Sequence, residues 1–600
     1  MWLASQDKGE CFARSHGPTF HPIHENGRFR GRETKKRGVI HENGRFRGRE
    51  EQITKRTTMK KIYTILSAAV LLASCAGFDE LEPQGGTLLE SQVKKANEYA
   101  PSRGNAPFNG MYTKLGAPVS VYGGGVDGRP DDFGFIMIAF SSDLEAADIV
   151  TANSGYNWFS TCGALTSRNG DYANPYIRYA APYNEIAAAN EIINTYPADS
   201  NEPEIRHKLA QARAIRAFSY LNLAPYFQFR YETSADLPCV PLVTEKTSNF
   251  TENPRASVAQ IYALIMEDLG WAIDNLEGFV RPDKSRIDRQ TAYGLRARAN
   301  LYMGNWQAAA EDAAKAAEGY VPASMEEVAS PSFYSINEHN WIWGYDMTTD
   351  VAQTNSYATA SAWIRSFSGD GYSAGTQVYS CINSLLYNKI PDTDVRKGWW
   401  VDESLESPLL ENVTWDGVSG NEVATLEIEN VKLPFLPYTN VKFGMNTIGG
   451  TNNDEDWPFM RVEEMILIQA EGYVRSGQAD LGRQILEDFV KTYRDPSYSA
   501  DAGGRTLEDE IWYQRRVELW GEGFSNPDTR RLGKPLVRFH DTDQGNFPAA
   551  FRFNMPADDG WWLMRFSTAE TNTNLAIIDN SEGTRPVQDQ YPQLRDGVTD

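Results

Sequence analysis

Residues 292–317 read AYGLRARANLYMGNWQAAAEDAAKAA, and this stretch decides the fold. Alanine and leucine recur at helical spacing on both sides of Gly304-Asn305-Trp306, which predicts two helices joined by a tight turn. The small side chains of Ala299 and Ala309 let such helices approach closely. An amphipathic pair of this kind buries its inner face only when a neighbour stacks on it.

Working outward, the pattern repeats. Residues 175–196 are alanine-rich, with Ile186, Ala189 and Ile193 on one face, and stop before Pro197. Residues 203–229 carry Ile205, Leu209, Ala212, Ile215 and Phe218 at steps of three or four, with Pro203 at the start, where its missing N–H costs nothing. A third helix begins at Ser257, with Gln260 in capping-box position and a stripe from Val258 to Leu276. A related hairpin follows at 463–475 and 479–493, turning at Ser476-Gly477. The expected fold is mainly α, built of tetratricopeptide-like helical hairpins. Between the two helical blocks, residues 320–455 turn rich in Gly, Ser, Thr, Asn, Trp and Tyr, a loop-rich, mixed insertion of the sort that carries function.

Charge narrows the function. The chain is 600 residues long with a net charge of -22. From Cys75 onward it holds 43 Lys/Arg and 73 Asp/Glu, a net of -30, which disfavours nucleic acid as a partner. Cys11, Cys75, Cys162, Cys239 and Cys381 form no CxxC pair and no Cys/His cluster with metal-ligand spacing, so neither a zinc site nor a disulfide framework is indicated.

Cys75 has its own explanation. From Met59 the sequence reads MKKIYTILSAAVLLASC: two lysines, a short apolar run, then small residues. The run falls short of the about 20 residues that a permanent span requires. Leu72-Ala73-Ser74-Cys75 resembles a lipobox, the acylation site of bacterial lipoproteins, and Asp79, Glu80 and Glu82 resemble the surface-export signal of Bacteroidetes lipoproteins. Residues 1–58 repeat HENGRFRGRE at 24–33 and 41–50. Because a signal peptide works only at an amino terminus, Met59 is read as the true start and 1–58 as a disordered extension from a misplaced start codon.

Several segments in order then resemble the SusD/RagB family of nutrient-binding outer-membrane lipoproteins. They are AQARAIRAFSYLNLAPYF (210–227), LPCVPLVTEKT (237–247), RASVAQIYALIMEDLGWAI (255–273), the Met303–Trp306 turn, Asp394-Val395-Arg396, DWPFMRVEEMILIQAEGY (456–473), RRVELWGEGFSNPDTRRLG (515–533) and WWLMRFSTAETNTNL (561–575). Arg565-Phe566-Ser567 stands where the family has P-I-P, and the closing N-P-G-Y is absent, which puts the local C-terminal fold in question. The resemblance implies a SusD-like α/α superhelix. It divides the chain into a signal peptide at 59–74, an N-terminal helical region at 75–319, a ligand-binding insertion at 320–455 and a C-terminal helical region with its tail at 456–600. It also implies no catalysis, no cofactor, a SusC-like TonB-dependent transporter as partner, and outer-membrane attachment through lipid on Cys75.

Sugar rings pack their C–H faces on aromatic planes, and rigid Tyr and Trp give contact area at little entropic cost. The family's ligand-contacting regions match segments holding Tyr156, Asn157 and Trp158, then Tyr357, Trp363 and Tyr372. Trp158 and Trp363 are the first choices; Trp341 and Trp343 alternate with Ile342 as a buried strand would, and are set aside. Glycan and peptide both suit such loops, and the sequence leaves that choice open.

Other motifs carry less. Gly371-Tyr372-Ser373-Ala374-Gly375 spells a serine-hydrolase elbow, but no buried strand precedes it and His540 is the sole downstream histidine; Ser373 reads better as the N-cap of a helix through Leu386. The glycine run 123–128 lacks a phosphate loop's Lys-Ser/Thr. Residues 452–456 (NNDED) are acidic without EF-hand spacing and read as a solvated loop. The Arg/Glu/Asp cluster from Arg515 to Arg531 reads as a buried ion network rather than a catalytic pair.

Overall fold

A computed structural model describes residues 100–117, 130–353 and 359–600, with scattered positions of 92–99. The signal peptide, Cys75, the glycine run 123–128 and Tyr357 lie outside the described residues. Gly85–Asp600 cluster as one unit.

Before the first helix expected, the chain forms α1 (Asn105–Thr113) and α2 (Gly134–Glu145), besides single-turn helices. α2 is buried on every side except at Ala139. A helix with no polar face has no 3.6-residue stripe to betray it. The expected helices follow as α3 (Ala173–Thr195), α4 (Pro203–Phe227), α5 (Val258–Asn275), α6 (Arg289–Met303) and α7 (Trp306–Ala317). The capping box of α5 is made in full: Ser257 and Gln260 each accept from the other's backbone N–H. Gly304 ends α6 at φ 77°, a left-handed conformation that favours glycine. After α8 (Ala360–Ile364), the second helical block holds α9 (Val462–Arg475), α10 (Ala479–Tyr493), α11 (Leu507–Glu518) and α12 (Ser525–Arg531).

Helices α3 to α7 pack in succession, α7 lies on α9, and α9 contacts α10 and α11. Where α7 meets α9, a Cβ on Gly472 would fall 2.5 Å from the Trp306 carbonyl oxygen. Only glycine lets the two hairpins meet this closely.

The strands are short antiparallel pairs. β1 (Ile149–Val150) pairs with β5 (Cys381–Ile382), β2 (Pro238–Pro241) with β3 (Arg255–Ser257), and β4 (Trp341–Tyr345) with β6 (Trp457–Arg461). β4 is buried throughout, as the Trp-Ile-Trp alternation predicts. One apolar core runs from Phe108 to Val598 and takes in Trp343, Trp363, Trp399, Trp400 and Phe435. Much of the aromatic richness of residues 320–455 is therefore core. Cys162, Cys239 and Cys381 are free, buried thiols, each pushed up to about 12 by burial.

The core also contains charges. Glu518 is fully buried and bonds three guanidinia, at 2.8 Å to Arg494 and 3.2 Å to both Arg396 and Arg461. Asp394 holds Arg396 at 2.6 Å; Glu463 pairs with Arg461 and Arg494; Glu522 joins Arg461 to Lys442, each at 2.8 Å. Burial alone would raise the Glu518 pKa, but Arg494, Arg461 and Arg396 together hold it far below the carboxylate range. A second knot ties Arg516 to Asp148 and Asp596, each at 2.7 Å. A third ties Arg515 and Arg531 to Asp528, and Arg531 to Glu471. The cluster read from Arg515 to Arg531 is thus a structural ion network. The tail departs from the family's ending, yet it is fixed to the body through Asp596.

Two expectations need correction. Ser373 is not an N-cap: its hydroxyl is buried and donates to the Arg365 carbonyl at 2.9 Å, and the helix there spans only Tyr372–Gly375. Nor is 452–456 solvated. Asn453, Glu455 and Asp456 are buried, and Asp456 accepts the N–H groups of Ile336 and Met347, so backbone donors of distant loops, absent from any local pattern, claim these acids.

Glu518→Gln should cost about 3–5 kcal/mol in urea unfolding at neutral pH, the usual loss when a buried ion pair is broken. Because the native pKa is depressed, this contribution is present above the unfolded carboxylate value and fades as pH falls, so the gap between native and variant should narrow in acid. Glu185 on α3 behaves oppositely. Both its oxygens are buried without a partner, and burial, opposed weakly by Lys114, pushes it up to about 8. A raised carboxyl loses stability as pH climbs from its ordinary value to its folded one, by roughly 1.4 kcal/mol per pH unit. Glu185→Gln should therefore match the native protein near pH 4 and exceed it increasingly towards pH 8 in thermal unfolding; parallel profiles would contradict this.

Candidate functional site

Of the residues singled out by sequence, those described lie in two segments, 156–158 and 363–372, that flank the β1–β5 pair in the chain and are joined through Phe159. After β1 the chain enters the loop 151–159, organised by one buried side chain. Asn157 donates Nδ2 to the Ala152 carbonyl at 2.7 Å and to Thr151 Oγ1 at 3.3 Å, and its Oδ1 accepts Phe159 N at 3.0 Å. On either side of this anchor stand two exposed rings, Tyr156 at 68% and Trp158 at 43% exposure.

Phe159 turns inward and meets Phe140 of α2 and Trp363 of α8 edge-on, at centroid distances of 5.0 and 4.8 Å. Trp363 then stacks on half-buried Tyr372, 4.7 Å away and 10° from parallel. The fold thus brings 156–159 beside 363–372, across about two hundred residues of chain. Trp363 is only 2% exposed, so it and Asn157 lie behind the surface, with Tyr156, Trp158 and Tyr372 in front.

The Tyr372 segment is held as firmly as the Tyr156 loop. Arg365 is buried and spends its donors on carbonyls of Phe333, Gly444 and Asp456, at 2.7 to 2.9 Å. Ser368 donates to Asn453 Oδ1 at 2.7 Å, and Asn453 returns a bond to the Asp370 carbonyl at 2.8 Å. Phe159 and Phe140 were missed by sequence reasoning; the run of aromatics from Tyr156 to Phe159 was the available signal.

The platform is open, and clefts of about 590 and 600 Å³ around Tyr513 and Trp400 share no lining residue with it. The hydrolase geometry is not assembled: His540 Nε2 faces the Thr599 carbonyl, 3.1 Å away, while Ser373 is committed to Arg365. Among the described residues no group of His, Cys, Asp and Glu is placed to hold a metal ion.

Residues 139–301 match a family described as starch-binding and associating with the outer membrane, and residues 410–584 match the SusD family. The chain belongs to the SusD/RagB family.

Solved SusD-like structures share its fold. A SusD-like carbohydrate binding protein from Bacteroides vulgatus is 24% identical, with a TM-score of 0.62 over 79% of this chain and 97% of its own. A second SusD superfamily protein from Bacteroides vulgatus is 18% identical, with a TM-score of 0.63 over 80% and 99%. A laminarin binding SusD-like protein is 18% identical, with a TM-score of 0.56 over 80% and 98%. No curated protein matches the chain. Among the described residues of this SusD-like protein, no helix is long and apolar enough to cross a membrane.

Proposed function

We propose that this protein is a surface lipoprotein that captures oligosaccharide or polysaccharide and delivers it, chemically unchanged, to a SusC-like TonB-dependent transporter. One observation carries the reading: the exposed rings of Tyr156 and Trp158 ride on a loop locked by Asn157 and buttressed by the Trp363–Tyr372 stack. Rigid aromatic faces in the open suit the C–H faces of a polymer that passes through without being enclosed. The family description and the carbohydrate-binding relatives agree with this reading.

Tyr156, Trp158 and Tyr372 are the contacting rings, Asn157 and Trp363 their supports, and Tyr357 of the 320–455 insertion a further contact. Residues 75–319 and 456–600 supply the scaffold. Lipid on Cys75 keeps the body at the outer membrane, since two or three acyl chains anchor stably where one would not.

A polysaccharide panel tests the site. Trp158→Ala should weaken binding of the retained glycan roughly tenfold or more, in line with loss of a well-packed aromatic contact. Unchanged glycan binding in Trp158→Ala and Tyr372→Ala would reject the platform, and retention of peptides with no glycan would move the assignment to peptide capture. The anchor is tested separately: labelled fatty acid should be incorporated in native cells and lost in Cys75→Ala, whereas labelling of that variant would exclude Cys75.

A further inference from the structure

Three stretches of chain are tied together around Tyr372, and between them they carry a single charged side chain. Residues 151–163 read TANSGYNWFSTCG and hold no Asp, Glu, Lys, Arg or His. Residues 366–377 read SFSGDGYSAGTQ and hold Asp370 alone. Residues 443–453 read FGMNTIGGTNN and again hold none. The first stretch reaches the second through Phe159, Trp363 and Tyr372. The third is sewn to the second: Gly449 N donates to the Phe367 carbonyl and Gly369 N to the Gly450 carbonyl, both at 2.9 Å, beside the Ser368–Asn453–Asp370 bonds.

Apart from the rings, what these stretches expose is neutral and polar: Asn153, Thr161, Asn446, Thr447, Thr451 and Asn452. Asp370 is exposed as well. Arg365, the cation that holds the Tyr372 segment, is fully buried, and its Nε, Nη1 and Nη2 are given to oxygens of Ser361, Phe333, Gly444 and Asp456. Three more acids, Asp454, Glu455 and Asp456, follow the third stretch directly, and the chain from Cys75 onward has a net charge of -30. Amides and hydroxyls match sugar hydroxyls as donors and acceptors, whereas a carboxylate or sulfate only accepts and calls for a cation. A polymer with an acid on each repeat would bring a row of negative charges to a surface and a body of the same sign.

We infer that the platform selects uncharged polysaccharide and rejects polymers that bear a carboxylate or sulfate on each repeat. This deepens the glycan-capture reading and rests on it. Tyr156 and Trp158 can stack on the C–H face of a neutral or an acidic sugar alike, so the discrimination comes from the charge around them. Asp370, two residues from Tyr372, supplies the local part of the repulsion, and the net charge of the body the long-range part.

Affinity electrophoresis of the purified protein, in gels holding soluble starch, galactomannan, mixed-linkage glucan, polygalacturonate or chondroitin sulfate, tests the selection. Retardation by at least one neutral polymer and by neither anionic one is expected. Retardation by either anionic polymer overturns the selection, and the capture reading then stands or falls separately on whether Trp158→Ala removes it. No retardation by any of the five overturns both. The retained neutral polymer is then carboxylated at C6 and titrated by calorimetry at low and high NaCl. Carboxylation should weaken binding roughly tenfold at about 0.01 M salt, where charges are felt over about 30 Å, and much less at about 1 M, where they are felt over about 3 Å. Asp370→Asn should recover part of the low-salt loss. Equal binding of the two polymers overturns the selection. So does a loss that is the same at both salt concentrations, which marks a missing C6 hydroxyl instead of charge.

Discussion

Everything in this fold converges on one buried carboxylate. Glu518, at the end of α11, faces the guanidinia of Arg396, Arg461 and Arg494 with no solvent to share the charge. Left alone, such a group would be neutral or would unfold the region. Here four acids, Asp394, Glu463, Glu518 and Glu522, interlock with four bases, Arg396, Lys442, Arg461 and Arg494. The partners come from two stretches of chain: the insertion supplies Asp394, Arg396 and Lys442, and residues 461–522 the rest. A network of this kind adds less net stability than its count suggests. It penalises any arrangement that omits a member, and so specifies how the loop-rich region seats on the helices.

That seating explains how irregular backbone can present a stable surface. Among the described residues of 320–455 no helix is longer than five residues, so their polar backbone groups need other partners. Buried cations provide them: Arg365 serves three carbonyls and Lys432 those of Leu426 and Leu433, while Lys442 ties the insertion to the carbonyls of Glu518 and Trp520. Arg538 does the same for α2, donating to the carbonyls of Leu144, Glu145 and Ala146 at the helix end. The side chains that look most ready for chemistry are in large part the cement of loops.

What could be read from the sequence was local. Ser257 with Gln260, Gly304 after α6 and the alternation at Trp341–Trp343 each state their structure within a few residues. α2 stayed hidden because a fully buried helix has no stripe. Ser373, Asn453 and Asp456 were misjudged because their partners, Arg365, Asp370 and the backbone of Ile336 and Met347, were not identifiable from neighbouring residues. The site followed the same rule. The 156–158 triplet and the 363–372 pair could be picked out as aromatics, but which ring would face outward depended on Phe159, and on a contact with Trp363 that only the fold creates.

The burial of Trp363 sharpens the functional argument. A surface tryptophan on a mobile loop must be ordered when ligand arrives, and that ordering subtracts from affinity. Trp158 instead follows a buried asparagine whose three hydrogen bonds set the loop, and precedes a phenylalanine wedged on the Trp363–Tyr372 stack. The ordering cost was met when the chain folded. Scattered exposed aromatics need no explanation on most surfaces, but a pair held outward by this much internal structure does. The rigidity of that pair is the physical support for the proposed role in ligand contact.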